Sequence, residues 1–408
     1  MPRRGRCVEM GLPAELESGF PAKRSQALGS VLRAAWRMGV LERPCLDSLH
    51  ARAAAIAQET PRAPWLAAHD RLLASLREEA DLNAVGLTFA YVQIARLIGQ
   101  RRRAARLWAR QPEIAATPVA RPIVVLGHMR SGTTRLQRLL GCDPRLNHTH
   151  FFEITNPLPP RPDWRVLESW AQLRLITALN PEIHTVHPTT ARQVEEVFGL
   201  LAFSFYGAQF EAQWRVPGFA RWWEGQDRGW VYRELRHLLQ TIARQRAAPD
   251  QTWVLKAPQF MEDLDALLAA FPDARLICLS REPGEVVPST ASLAYHQMQV
   301  QSDTVDPHWI GREWLRKTAR REALCAQVRA ARPDVPQLEV EFAAMNGDWR
   351  AQMHRIYRFL DLELTPAVEA RMAAYLRQAE ASGFRGHRYH AGDFGLSPQS
   401  IGAALAAA

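Results

Sequence analysis

The stretch Pro122-Ile-Val-Val-Leu-Gly-His-Met-Arg-Ser-Gly-Thr-Thr134 constrains this chain more than any other. A short apolar run ends in a polar loop punctuated by Gly127 and Gly132, and Leu136, Leu139 and Leu140 then resume helical spacing. That order predicts a strand, a phosphate-binding loop and a helix. Successive N–H groups of a glycine turn, added to the free N–H groups at a helix start, make a cradle for an anion. The loop departs from the nucleoside triphosphatase pattern at one position: Thr133 stands where that pattern has Lys, and Thr134 follows. It therefore lacks the point charge used on β- and γ-phosphates in phosphoryl transfer. Arg130 supplies a cation earlier in the loop instead.

Around this motif the chain changes period. Residues 1–118 are rich in Ala, Leu, Arg and Glu with apolar residues at helical intervals, Leu72, Leu73 and Leu76 among them, and read as a helical N-terminal region packed on the core. The cluster Arg101, Arg102, Arg103 and Arg106 reads as a solvated helix face. From Arg121 short runs rich in Val, Ile and Leu alternate with helix-like segments: Ile123 to Leu126, Trp253 to Leu255, Arg275 to Leu279 and Leu338 to Phe342. Alternation of this kind predicts an α/β domain over residues 119–400, a parallel sheet with helices on both faces. Ligands of such sheets collect at the carboxyl ends of the strands. Arg130, Lys256 and Arg281 follow the first three runs. A helical, aromatic-rich insertion at about 151–250, with Trp164, Trp170, Phe203, Phe205, Trp214, Trp222, Trp223 and Trp230, is expected to cover the sheet and shape an acceptor pocket.

Composition narrows the partners. The 408 residues carry a net charge of +9 and are 47% hydrophobic and 23% charged, a globular balance that favours anionic ligands without choosing among them. Five cysteines without paired spacing suggest neither a disulfide framework nor a zinc site. No secretory signal or transmembrane segment is read, and a cytoplasmic location is expected. Nor does any nucleic-acid module stand out.

A second block completes the pattern: Trp253-Val-Leu-Lys-Ala-Pro-Gln-Phe260, a helix through Leu264, Leu267 and Leu268, then Arg275-Leu-Ile-Cys-Leu-Ser-Arg281 and, one helical approach later, Ser289. An arginine fork with a hydroxyl on one side suits a phosphate. With both motifs in view the chain resembles the sulfotransferase family, in particular its bacterial branch with Arg-Ser-Gly-Thr-Thr loops. The resemblance covers most of the chain, including the leader stretch Glu78, Leu82, Asn83 and Gly86 and a tail, His387-Arg-Tyr389 and Asp393-Phe-Gly-Leu396, similar to the family's closing loop.

The resemblance implies a P-loop nucleoside triphosphate hydrolase-like fold and transfer of a sulfuryl group from 3'-phosphoadenosine 5'-phosphosulfate to a small-molecule acceptor, without a metal. It also implies that Arg130, Ser131, Gly132, Thr133 and Thr134 grip the 5'-phosphosulfate and that Arg281 and Ser289 hold the 3'-phosphate. Charge developing at the bridging oxygen calls for fixed cations, for which Arg130 and Lys256 are the candidates. A hydroxyl or amine acceptor also needs a base. Glu153, beside aromatic residues, leads; His187 is second, and Glu195 with Glu196 follow. Gln259 stands where many relatives carry His, which leaves a silent nucleotide-binding protein as the alternative. A P-loop kinase is the weaker one, since it would need the loop Lys and an acidic magnesium ligand.

Overall fold

The computed structural model describes residues 20–59, 63–160, 162–181, 189–248, 250–381 and 389–407. His187, His387 and Arg388 lie outside them. The strands are β1 (Ile123–Leu126), β2 (Leu146–Asn147), β3 (Thr252–Lys256), β4 (Arg275–Ser280) and β5 (Gln337–Glu341). They form one five-stranded sheet in the order β2-β3-β1-β4-β5. Every pairing is parallel, with Val124 opposite Leu255 on one side and Leu276 on the other. The expected α/β class, a parallel sheet flanked by helices with a helical N-terminal region, is the observed one. β2 escapes sequence detection because two residues carry no periodicity.

Strand alternation sorts the sheet's side chains into two cores. Val124, Leu126, Trp253, Leu255, Leu276 and Cys278 join one buried cluster that also holds Trp65, Leu72, Leu76, Ala90 and Ile94 of the leader. Ile123, Val125, Val254, Ile277, Leu279 and Val340 face the other way, onto Leu136, Leu139 and Leu140 of the loop helix and onto Met353 and Ile356. Leader helices and sheet thus share apolar surface, each large buried side chain contributing on the order of 1.5–3 kcal/mol.

The helix Ala84–Arg110 is started by Asn83, whose side chain accepts from the Gly86 N–H at 2.9 Å. The Asn83 N–H donates to the Gln301 carbonyl at 3.0 Å, tying the leader to the end of the helix Pro283–Gln301. The arginine cluster on this helix is only partly a solvated face. Arg101 turns inward, pairs with Glu234 at 2.8 Å and lies over the rings of Trp65 and Phe203. Arg102 remains outside and meets Glu59 at 3.2 Å.

Candidate active site

Four parallel strands deliver chemistry at their carboxyl ends. β1 runs into the loop 127–132, β3 ends on Lys256, Arg281 follows β4 directly, and Phe342 follows β5. The loop needs its glycines. Gly127 has φ 150°, and a side chain there would press on the Leu279 carbonyl, Ser131 Oγ and Thr133 Cγ2, each 2.8 Å from a Cβ. Gly132 has φ 88° and rests on Phe342, whose ring would lie 2.6 Å from a Cβ. Both positions demand a residue without a Cβ. The resulting cradle leads into the helix Thr133–Leu140, whose first N–H groups have no intrahelical partner. Ser131 and Thr133 are buried; the Ser131 hydroxyl donates to the His128 carbonyl at 2.7 Å and braces the turn.

Cations converge on this cradle. Arg130, at φ 68°, donates from Nε to Ser289 Oγ at 3.1 Å, and Arg281 donates to the Arg130 carbonyl at 2.7 Å. Arg281 also lies 4.2 Å over the Phe342 ring and donates to Glu285 at 2.7 Å. Arg130, Arg281 and Ser289, chosen from separate stretches of sequence, are therefore neighbours. Burial lowers the pKa of Arg130, and the charge of Arg281 adds to that shift while Tyr389 and Glu196 oppose it. The Tyr389 hydroxyl donates to the Glu285 carbonyl at 3.2 Å, so the start of the described tail sits beside the same arginines.

Lys256 is almost fully buried and ion-paired to Glu196. Burial lowers its pKa, while the charge and hydrogen bond of Glu196 work the other way. Thr134 joins both: Lys256 Nζ is 3.4 Å from its hydroxyl, which donates to Glu196 at 3.2 Å. The second Glu196 oxygen, Oε2, is buried without a hydrogen-bond partner. Glu195 also lines the adjoining cavity, its carboxylate accepting from the Thr189 hydroxyl at 2.9 Å and from the Glu196 N–H at 3.1 Å.

A cavity of about 580 Å³ opens in front of these groups. Arg130, Gly132, Thr134, Glu196, Lys256 and Arg281 line it from the strand ends. Phe89, Leu97, Leu173, Ile176, Leu293 and Val300 give it an apolar wall built from three helices. Of the insertion's aromatic residues, Phe203, Phe205, Trp214 and Trp223 are core instead of pocket. The leader helix supplies wall that sequence reading had assigned to the insertion.

Glu153, the leading base from sequence, is not among the residues lining this cavity. It is buried at the start of the short helix Phe151–Thr155, where its carboxylate accepts from the His150 N–H at 2.9 Å and pairs with Arg246, whose Nε donates at 2.7 Å. Burial alone would raise its pKa; the His150 hydrogen bond and the Arg246 charge outweigh that and lower it. Both of its oxygens are taken up by these contacts. Gln259 is fully buried with neither side-chain polar atom hydrogen-bonded, and it too is absent from the cavity wall. Away from the site, His50 and His69 each place Nδ1 2.8 Å from Asp70 Oδ1, an arrangement that hydrogen bonds account for.

A sequence model of the sulfotransferase family matches residues 122–366, more than half of the chain. The chain belongs to the sulfotransferase family. Among its relatives are the omega-hydroxy-beta-dihydromenaquinone-9 sulfotransferases Stf3 of Mycobacterium bovis and Mycobacterium tuberculosis, each 26% identical over 288 residues, 64% of this chain and 69% of the relative. The crystal structure of sulfotransferase STF1 from Mycobacterium tuberculosis superposes with a TM-score of 0.76 at 27% identity, over 90% of this chain and all of that one. That of STF9 from Mycobacterium avium gives 0.74 at 23% identity, covering 88% of this chain and 94% of its own, and speaks for the fold. This sulfotransferase is accordingly an enzyme that transfers a sulfur-containing group. None of its described helices is long and apolar enough to cross a membrane.

Proposed function

We propose that this sulfotransferase takes the sulfuryl group of 3'-phosphoadenosine 5'-phosphosulfate and places it on a hydroxyl or amine of an apolar or amphipathic small molecule. One observation carries the reading: the glycine cradle, three cations and a carboxylate line the same cavity as an apolar helical wall. The cradle fits the donor because its glycines let the loop fold tightly against Leu279 and Phe342 ahead of a helix start with free N–H groups, and because the surrounding cations match a polyanion without a P-loop Lys. When bound, the donor supplies the activated sulfur and a leaving group whose bridging oxygen takes the electron pair of the broken S–O bond.

The chain's own residues do the rest. Arg130 and the N–H groups from Ser131 to Thr134 hold the phosphosulfate, and Arg281 with Ser289 holds the 3'-phosphate. Lys256 and Arg130 offset the charge that develops on the leaving oxygen. Glu196 takes the base role in place of Glu153, since its unpartnered oxygen sits beside Lys256 and its side chain lines the cavity. As Lys256 turns to the phosphosulfate, the Glu196 carboxylate is released to accept the acceptor's proton. The apolar wall, and relatives whose name states an omega-hydroxylated menaquinone, favour a hydroxylated apolar acceptor. The helical region 1–118 and the domain 119–400 act as one unit, because the leader helix builds part of that wall.

The test is an acceptor screen with labelled donor, read by mass shift. Sulfation of hydroxylated amphiphiles supports the proposal. Donor binding with no transfer to any hydroxyl or amine would favour the silent nucleotide-binding reading.

A further inference from the structure

Within the apolar wall lies a polar island that donor chemistry does not use. Arg96, on the leader helix, lines the cavity together with Gln93, one turn earlier, and Gln172, from the helix Arg165–Leu179. The Arg96 guanidinium has a single hydrogen bond, from Nη1 to Gln172 Oε1 at 3.4 Å, and its Nε is enclosed without a partner. No carboxylate of the described residues lies within 4.0 Å of it, and Glu168 acts on it only at longer range. Gln93 Nε2 is likewise buried without an acceptor. Burial lowers the pKa of Arg96, and the more distant charge of Glu168 offsets that only in part. A half-buried guanidinium with its Nε enclosed and no carboxylate in contact, set in the wall of a ligand cavity, points to a pairing group that arrives with the ligand.

We infer that Arg96, helped by Gln93 and Gln172, binds a carboxylate on the acceptor, which is thus an amphipathic hydroxy acid whose hydroxyl reaches the strand-end wall. One guanidinium with amide donors matches the single charge and planar fork of a carboxylate better than the double charge of a phosphate monoester. The apolar residues Leu97, Leu173 and Ile176 would take the hydrocarbon between the two polar ends. This inference rests on the reading of the cavity as the acceptor site.

Calorimetric titration of 12-hydroxydodecanoate and of its methyl ester at pH 8 tests it in the full chain, with 3'-phosphoadenosine 5'-phosphate titrated alongside. The wild type is expected to bind the acid at least about tenfold tighter than the ester, the order expected of a hydrogen bond to a charged group. Arg96→Met should make the two equal, Arg96→Lys should keep part of the preference, and the nucleotide should bind all three proteins alike. Equal binding of acid and ester by the wild type, a preference that survives Arg96→Met, or no binding of either probe would overturn the inference. Should Arg96→Met not fold, wild type and Arg96→Lys still decide. Failure of the nucleotide to bind would count against the donor site alone, since the acid-to-ester ratio is read independently of it.

Discussion

Two buried carboxylates, each ion-paired to a cation from a distant part of the chain, sit in opposite surroundings in this sulfotransferase. Glu153 and Arg246 close the start of a short helix: both oxygens are taken, burial is complete on the acid side, and the pKa falls. Glu196 and Lys256 have the same chemical make-up, yet one carboxylate oxygen is left without a partner and both side chains face the cavity. The difference lies in what surrounds the pair, not in the pair. We propose that the saturated pair is structural and that the half-satisfied one, beside a cradle for anions, exchanges its partner for a ligand.

Removing the acid from each pair should break the comparison open. Glu153→Gln is expected to cost about 3 kcal/mol of stability, as breaking a buried pair leaves Arg246 uncompensated, while turnover per folded molecule stays within a few fold. Denaturant unfolding and activity on the same sample check both halves. Glu196→Gln is expected to lower turnover at least about a hundredfold, the ordinary cost of a lost base. It should leave affinity for 3'-phosphoadenosine 5'-phosphate unchanged or raised, because a carboxylate near the phosphates has gone. Loss of turnover in Glu153→Gln with none in Glu196→Gln would reverse the assignment.

A smaller effect separates the two phosphate ends. Arg281→Ala should weaken 3'-phosphoadenosine 5'-phosphate by on the order of 2 kcal/mol relative to adenosine 5'-phosphosulfate, which lacks the 3'-phosphate. Equal losses would move that phosphate elsewhere. The smallest effect is acid sensitivity. Since Glu153 is held below its ordinary value of 4.5, its contribution is complete above that pH and is lost as pH falls through the lower folded value. The stability gap between wild type and Glu153→Gln should therefore be constant at neutral pH and narrow only below about pH 4.5. A gap that closes between pH 6 and 8 would assign it to another group.

The same contrast explains what the sequence could reveal. Elements carried by contiguous pattern were legible: β1 spans the expected Ile123 to Leu126, and β3, β4 and β5 start or end within a residue of the runs read for them. So was the loop, because its glycines and donors follow one another. The ion pair of Glu153 was not legible because its aromatic neighbours are adjacent in sequence, while Arg246 comes from the end of another helix. Glu196 gained its standing only from Lys256, delivered by a strand far along the chain. Gln93 and Arg96 carry no signal at all within a helical leader; their polarity matters only because the fold turns them toward a cavity.

The measurement closest to the central claim is calorimetric titration of 3'-phosphoadenosine 5'-phosphate into the wild type and Arg130→Ala without any divalent metal. The structure predicts one site per chain in the wild type and a loss of at least about tenfold in affinity for the variant, the scale of one charge-assisted contact. No binding without metal, binding of magnesium ATP instead, or equal affinity in both proteins would contradict it.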